Sequence, residues 1–338
     1  MRLLITTDAW RPQVNGVVRT YERLSEELIR LGVDVEFITP AGFHTLPMPT
    51  YPEIRLAMIT SGQAKRRIEA IRPDHIHIAT EGPIGLAVRA HCISERKPFT
   101  TSYHTRFPEY LSARFPVPES WGYSLERWFH SASSGVMVAT KSLREELEGK
   151  GFTKLMPWSR GVDTEMFRPR AARLFGEGPV YLYVGRVAIE KNLSAFLDLD
   201  IPGRKVVVGK GPQLGTLKLA YPEVHFTGPL FGDELAEAYA SADVFVFPSR
   251  TDTYGVVLLE ALASGVPVAA YPVTGPKDIV LDGKVGCLSE DLREAAMRAL
   301  TMDRDACRAY ALGFGWDACA RQFVENVRLA CSYSLVPA

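Results

Sequence analysis

Short apolar runs alternate along the chain with longer stretches whose apolar residues recur every three or four positions. "RLLIT" (Arg2–Thr6) has the length and composition of a buried strand. "GVVRTYERLSEELIRLG" (Gly16–Gly32) is an amphipathic helix closed by glycine. The rhythm continues through the strands "DVEFIT", "DHIHIA", "FTTSY" and "GVMVAT", with helices between them. Such alternation predicts βαβ units and a parallel sheet covered on both faces. It pauses at "GVDTEMFRPRAARLFGEGP" (Gly161–Pro179), where Pro, Gly and Arg gather without apolar period, as in a linker. It restarts with "VYLYVG", "RKVVVG", "EVHFTG", "DVFVFPS" and "GVPVAA". The expected class is α/β, with two Rossmann-like, doubly wound domains over residues 1–168 and 169–312. A last amphipathic helix, "WDACARQFVENVRLAC" (Trp316–Cys331), falls in the closing segment 313–338, expected to pack back toward the N-terminal domain. No internal repeat or low-complexity tract is visible.

Composition narrows the class. With 338 residues, 46% hydrophobic and 23% charged, the chain is an ordinary globular sequence long enough for two cores. Lys and Arg together number 39, as do Asp and Glu, so no basic excess marks a nucleic-acid partner. Cys92, Cys287, Cys307, Cys319 and Cys331 are scattered and odd in number, with no Cys-x-x-Cys. A disulfide framework or structural zinc is not expected, and reduced thiols fit a cytoplasmic protein. The apolar start is too short for a secretory signal, and no run approaches the roughly 18 apolar residues of a membrane span. Any membrane would be met at its surface.

Ligands of open parallel sheets bind outside the carboxyl ends of the strands. Two such domains facing each other would enclose a cleft, so the loops after strands carry the candidate chemistry. "DVFVFPS" is followed by the loop "RTDTYG" and the apolar helix "VVLLEALASG". The first amides of that helix, near Thr253, Tyr254, Gly255 and Val256, lack internal partners and with the helix dipole favour a phosphate. Glu260 lies about 7–8 Å further along the axis, within reach of a ribose joined to a diphosphate. A carboxylate there can accept from both hydroxyls of a cis-diol. The plain alternative is a buried Glu paired with a core Arg or a backbone N–H. Asp252 precedes it in the spacing Asp-x7-Glu and would face a donor sugar, or else cap the helix.

Upstream, Arg186 follows a strand directly and Lys191 comes five residues later. Two cations there can clamp a diphosphate and stabilise its departure. A solvated Lys and a locally paired Arg are the alternative. "VVVGKGP" (Val206–Pro212) resembles a glycine-rich nucleotide loop but is an incomplete G-x-G-x-x-G, since Gly215 falls one position late. That weakens any dehydrogenase reading.

Taken together, "GRVAIEKNL", "VGKGP", "FTGPL", "ADVFVFPS" and "DTYGVVLLEALASGVPV" resemble the retaining glycosyltransferases of family 4, which have the GT-B fold. The likeness covers nearly the whole chain. The family carries Glu-x7-Glu, and here the first acidic position is Asp252, one methylene shorter. The resemblance implies a nucleotide-diphosphate-sugar donor bound by the C-terminal domain and an acceptor bound by the N-terminal one. It implies front-face transfer with retention, no cofactor and no metal. In "DAWRPQVNGVVRT" it assigns Gly16, beside Asn15, to close approach to the donor diphosphate, where the alternative is a simple turn glycine. In "TSYHTRFPEY" it matches His104 to a histidine that reaches donor sugar and acceptor; a cleft His can bind a hydroxyl or move a proton. His75 and His77 face one side of a strand without a third ligand and are expected to be structural.

"WRPQVNGVVRT", "SYHT" and "GVDTEMFRP" are closer to the subgroup making sulfoquinovosyl-, glucosyl- or glucuronosyl-diacylglycerol, and to α-mannosyltransferases using GDP-mannose. Two stretches suit an anionic membrane surface. Lys65, Arg66, Arg67 and Arg72 crowd "SGQAKRRIEAIRP". "RFPEYLSARFPVPESWGYSLERWF" (Arg106–Phe129) mixes aromatics with Arg. Both equally suit a solvated helix face and a domain core. The expected function is transfer of glucose, glucuronic acid or galactose from a UDP-sugar to a membrane lipid, with diacylglycerol foremost, by an enzyme peripheral to the inner face of the membrane. A GDP-mannose-dependent mannosyltransferase and a non-catalytic sugar-nucleotide-binding module are the alternatives.

Overall fold

Leu3 and Ile5 point to one face of the first strand and Leu4 to the other, and all three are fully buried. A strand apolar on both sides needs a layer on each. The computed structural model describes residues 1–13, 15–48, 51–112, 116–171 and 173–333. The chain divides into two compact units: Met1–Ser159 with the segment from Trp316 onward, and Arg160–Gly315.

The first unit contains β1 (Arg2–Thr6), β2 (Asp34–Ile38), β3 (Thr45–Met48), β4 (Tyr51–Ala57), β5 (His75–Ile78), β6 (Phe99–Ser102), β7 (Gly135–Val138) and β8 (Leu155–Pro157). Six form a parallel sheet in the order β2-β1-β5-β6-β7-β8, while β3 and β4 make an antiparallel hairpin. The helices Gly16–Arg30 and Trp316–Tyr333 cover one face, where Leu3, Ile5, Tyr21, Trp158 and Phe323 share a core. The helices Ser61–Ile71, Pro83–Ser94 and Glu119–Ser131 cover the other through Ile68, Val88 and Phe129. The second unit contains β9 (Val180–Val184), β10 (Arg204–Val208), β11 (His225–Gly228), β12 (Val244–Phe247), β13 (Val268–Ala270) and β14 (Gly286–Leu288). They form a parallel sheet in the order β11-β10-β9-β12-β13-β14. The direction of winding reverses between β1 and β5 in the first unit and between β9 and β12 in the second. Crevices open at such reversals.

The sequence pattern did not announce β3, β4, β8 or β14. β8 and β14 have three residues each, too few to show a period, and both are edge strands. The hairpin holds Pro47 and Pro52, which argue against a strand. The boundary between the units also lies upstream of 168. Val162 N–H donates to the Phe314 carbonyl at 2.9 Å, and the Arg308 guanidinium donates to the carbonyls of Thr164 and Phe167. The stretch read as linker therefore belongs to the second unit. The helix Trp316–Tyr333 packs in the first, with Trp158 Nε1 donating to the Cys319 carbonyl and Asn326 Nδ2 to that of Pro157. Cys92, Cys287, Cys307 and Cys319 are buried free thiols.

One buried carboxyl stands out in the first unit. Glu126, on the inner face of Glu119–Ser131, is 5% exposed, and among the described residues neither carboxyl oxygen has a hydrogen-bond partner. Burial, with the Glu81 charge nearby, raises its pKa to about 9. From its ordinary value up to about 9 the folded chain keeps a proton that the unfolded chain releases, so rising pH across that window favours unfolding. Glu126→Gln is expected to flatten the loss of thermal stability between about pH 5 and pH 8, gaining on the order of 2 kcal/mol at the upper end. Thermal melts of both forms across that range check it; parallel curves would mean that Glu126 ionises as an ordinary surface carboxylate does.

Candidate functional site

In the second unit the loops after β9 and β12 meet at the winding reversal. Asn192 Nδ2 donates to the Pro248 carbonyl at 3.1 Å, and the hydroxyls of Ser249 and Thr251 each donate to the Glu190 carbonyl at 3.4 Å. Across this seam Lys191 Nζ lies 2.7 Å from Asp252 Oδ2, with side chains 18% and 17% exposed. Asp252 is thus paired with a cation from the neighbouring loop, and the residue at the helix cap position is Gly255. Gly255 has φ +86°, the left-handed conformation glycine adopts most easily, and it opens the helix Val256–Ala263. Thr253 is half-buried in the same loop, and Tyr254 is buried with its hydroxyl donating to the Arg160 carbonyl at 3.3 Å. The Tyr254 side chain therefore anchors the loop, and what that position offers a ligand is its backbone.

Glu260 is 4% exposed, and its Oε2 accepts from the Tyr239 hydroxyl at 2.8 Å. Tyr239 is therefore one partner of this buried carboxylate. Arg186 sits directly beyond β9, where its carbonyl accepts from the Tyr183 hydroxyl at 2.8 Å. The glycines of "VGKGP" have a packing role. A Cβ on Gly209 would lie 1.9 Å from the Gly185 carbonyl oxygen, and one on Gly211 would lie 2.2 Å from that of Val187. The segments after β9 and β10 run backbone against backbone, with Val187 N–H donating to the Lys210 carbonyl at 3.0 Å. These glycines brace the Arg186 loop.

The first unit has its own cluster at the carboxyl ends of β1, β5 and β6. Asn15 Oδ1 accepts from the Val17 and Val18 amides, both at 3.0 Å, capping the helix that begins at Gly16. A Cβ on Gly16 would meet nothing within 4 Å among the described residues, and its φ is not left-handed. His104 follows β6 and is half-buried, its Nε2 2.8 Å from the Tyr21 hydroxyl. Its loop is held by Arg106, which is 8% exposed and donates to Glu109 and Glu146. His75 and His77 are buried and bond the Thr100 hydroxyl at 3.0 and 2.8 Å.

Three residues here escaped sequence reasoning. Asp8 accepts from Ile84 N–H at 2.9 Å, Gly85 N–H at 3.3 Å and the Thr80 hydroxyl at 3.0 Å, joining β1 to the helix Pro83–Ser94. Burial raises its carboxyl to about 6 against the pull of those amides. Its place directly after the first strand was the available signal. Tyr21 and Tyr239 read as apolar members of helices, and nothing in the pattern gave their hydroxyls partners. Among the described residues no three or more of His, Cys, Asp and Glu are grouped to hold a metal.

The comparisons with known proteins bear on both units. The family model described as Glycosyltransferase Family 4 matches residues 14–166, and that described as Glycosyl transferases group 1 matches 178–303. The sulfoquinovosyl transferase SQD2 of Arabidopsis thaliana is 33% identical over 86% of this chain, which spans 60% of that protein. A GDP-mannose-dependent alpha-mannosyltransferase of Mycobacterium tuberculosis is 30% identical, covering 85% of this chain and 83% of its own. The alpha-monoglucosyldiacylglycerol synthase of Streptococcus pneumoniae is 26% identical, covering 90% and 79%. In structure, the sucrose-phosphate synthase of Thermosynechococcus elongatus superposes with a TM-score of 0.81 at 20% identity, over 98% of this chain and 99% of that one. With two reversed-winding parallel sheets, family models over 14–166 and 178–303 and a relative 30% identical over 85% of this chain, the protein is a member of the family 4 glycosyltransferases, with the GT-B fold.

Proposed function

We propose that this glycosyltransferase moves a hexose or hexuronose from a UDP-sugar to a membrane lipid, diacylglycerol foremost, with retention at the anomeric carbon and without metal. The observation that carries the donor half is the Lys191–Asp252 pair beside the start of a buried helix that holds Glu260 further in. The diphosphate takes the amides near Gly255 and Val256 together with Arg186 and Lys191. Asp252 holds Lys191 aimed and meets the sugar. Glu260 takes the ribose hydroxyls, sharing its carboxylate with Tyr239. By the family resemblance, Gly16 is the glycine assigned to the donor diphosphate. His104 meets a sugar hydroxyl. As the bond from the anomeric carbon to the phosphate oxygen breaks, negative charge grows on the diphosphate. Its oxygen takes the proton of the acceptor hydroxyl, which attacks from the same face.

The acceptor half rests on the likeness to a diacylglycerol glucosyltransferase and on an exposed apolar stripe. Trp121, Leu125 and Trp128 are 70%, 64% and 50% exposed and recur one turn apart along Glu119–Ser131. Residues 113–115 of the same aromatic stretch lie outside the described residues. Exposed tryptophans suit the zone between lipid headgroups and acyl chains. On the helix Ser61–Ile71, Lys65, Arg66 and Arg67 are exposed, and Lys65 is paired with Glu95. Among the described residues no helix is long and apolar enough to cross a membrane. The mannosyltransferase relatives favour GDP-mannose as the second donor to try.

The deciding experiment offers diacylglycerol liposomes, UDP-glucose, UDP-glucuronic acid, UDP-galactose and GDP-mannose, with a chelator present. The lipid extract is then examined by mass spectrometry. A hexosyl- or hexuronosyl-diacylglycerol is expected. Nucleoside diphosphate released without a new lipid would sink diacylglycerol as acceptor, and donor binding with neither would favour a non-catalytic module. Lys191→Met is expected to lower kcat about a hundredfold or more in the same assay, as loss of a leaving-group cation does. Trp121→Ala with Trp128→Ala is expected to weaken sedimentation with anionic vesicles about tenfold while leaving the fold, followed by circular dichroism, unchanged.

A further inference from the structure

Gly82 stands at the cap position of the helix Pro83–Ser94 but has no side chain to cap it with, and Pro83 brings no N–H. The cap comes instead from 76 positions away. Asp8, directly after β1, accepts at Oδ1 from Ile84 N–H at 2.9 Å and at Oδ2 from Gly85 N–H at 3.3 Å. The Thr80 hydroxyl donates to Asp8 Oδ2 at 3.0 Å and accepts from Asp8 N–H at 2.7 Å. A carboxylate over the first turn of a helix is favoured by the dipole as well as by the amides. The neighbouring glycines make room for it. A Cβ on Gly82 would lie 2.4 Å from Asp8 Cγ, and one on Gly85 would lie 2.0 Å from the Thr80 carbonyl oxygen. Asp8 is buried in this socket.

From Asp8 the contacts run on toward Gly16. The Asp8 carbonyl accepts from Gln13 Nε2 at 3.4 Å, and Gln13 N–H donates to the Trp10 carbonyl at 3.1 Å. Gln13, itself buried, accepts at Oε1 from Asn15 Nδ2 at 3.1 Å. Asn15 Oδ1 in turn caps the helix that begins at Gly16. A line of side chains thus joins the first turn of Pro83–Ser94 to the first turn of Gly16–Arg30, with Asp8 as its fixed end. We propose that Asp8 is a positioning residue for the donor diphosphate: anchored on the helix Pro83–Ser94, it sets, through Gln13 and Asn15, where Gly16 stands. This rests on the reading that Gly16 lies against that diphosphate.

The test is calorimetric titration of the full chain with UDP, and with GDP in parallel, which needs no knowledge of the acceptor. Asp8→Asn keeps the size of the side chain but turns an NH2 group toward a donor that the carboxylate accepts from. It is expected to raise the Kd for the nucleotide about tenfold with the stoichiometry unchanged. A merely structural role would lower the stoichiometry or the melting temperature and leave the Kd of the folded fraction where it was; that result overturns the inference. If Asp8→Asn does not fold, Thr80→Val removes the hydroxyl shared by the Asp8 amide and carboxylate and is read in the same way, with a rise of about threefold expected. Gly16→Ala separates the two levels. If it weakens the nucleotide and the Asp8 and Thr80 variants do not, the reading of Gly16 stands and the role of Asp8 is overturned. If Gly16→Ala binds as the wild type does, the reading of Gly16 fails and the inference falls with it.

Discussion

A parallel strand cannot return to its neighbour by a tight turn; it must cross a face of the sheet, and the crossovers are nearly all right-handed. Where winding reverses, the crossovers that start from two adjacent strands leave for opposite faces of the sheet. Each unit has one such place, between β1 and β5 and between β9 and β12. Gly16 and Asp8 sit at the first, and Arg186, Lys191 and Asp252 at the second. A reversal is where an open parallel sheet leaves room for a ligand at its carboxyl edge.

At the second reversal, rigidity comes from contacts that allow no spare volume. The approach of Gly209 to Gly185, and of Gly211 to Val187, leaves no room for a methyl group. The ion pair between Lys191 and Asp252 then joins loops that the backbone has already fixed. A pair so placed loses little entropy on forming, unlike two long surface side chains.

Much of this was legible beforehand, and the exceptions have physical reasons. Long buried strands such as "VYLYVG" and "DVFVFPS" showed themselves because both faces are covered. Three-residue edge strands and a proline-bearing hairpin did not, since too few residues carried a period. Lys191, Asp252 and Glu260 were visible as charges out of place, yet the partners were not. Lys191 meets Asp252 across 61 positions, and Tyr239 meets Glu260 across 21. Such pairings exist only once the sheet has formed. Gly209 and Gly211 were visible as glycines but suggested a phosphate cradle, because a sequence cannot tell a ligand's approach from that of a neighbouring strand.

The helix Trp316–Tyr333 completes a core begun at the opposite end of the sequence, setting Cys319, Ala320, Phe323 and Val327 against Leu3, Ile5 and Trp158. The second unit is thus an insertion between two parts of the first. During synthesis the ribosome finishes Arg160–Gly315 while one face of the earlier sheet is covered only in part, by the helix Gly16–Arg30. The unit begun first is therefore the one completed last, because part of its core is supplied only by the end of the chain.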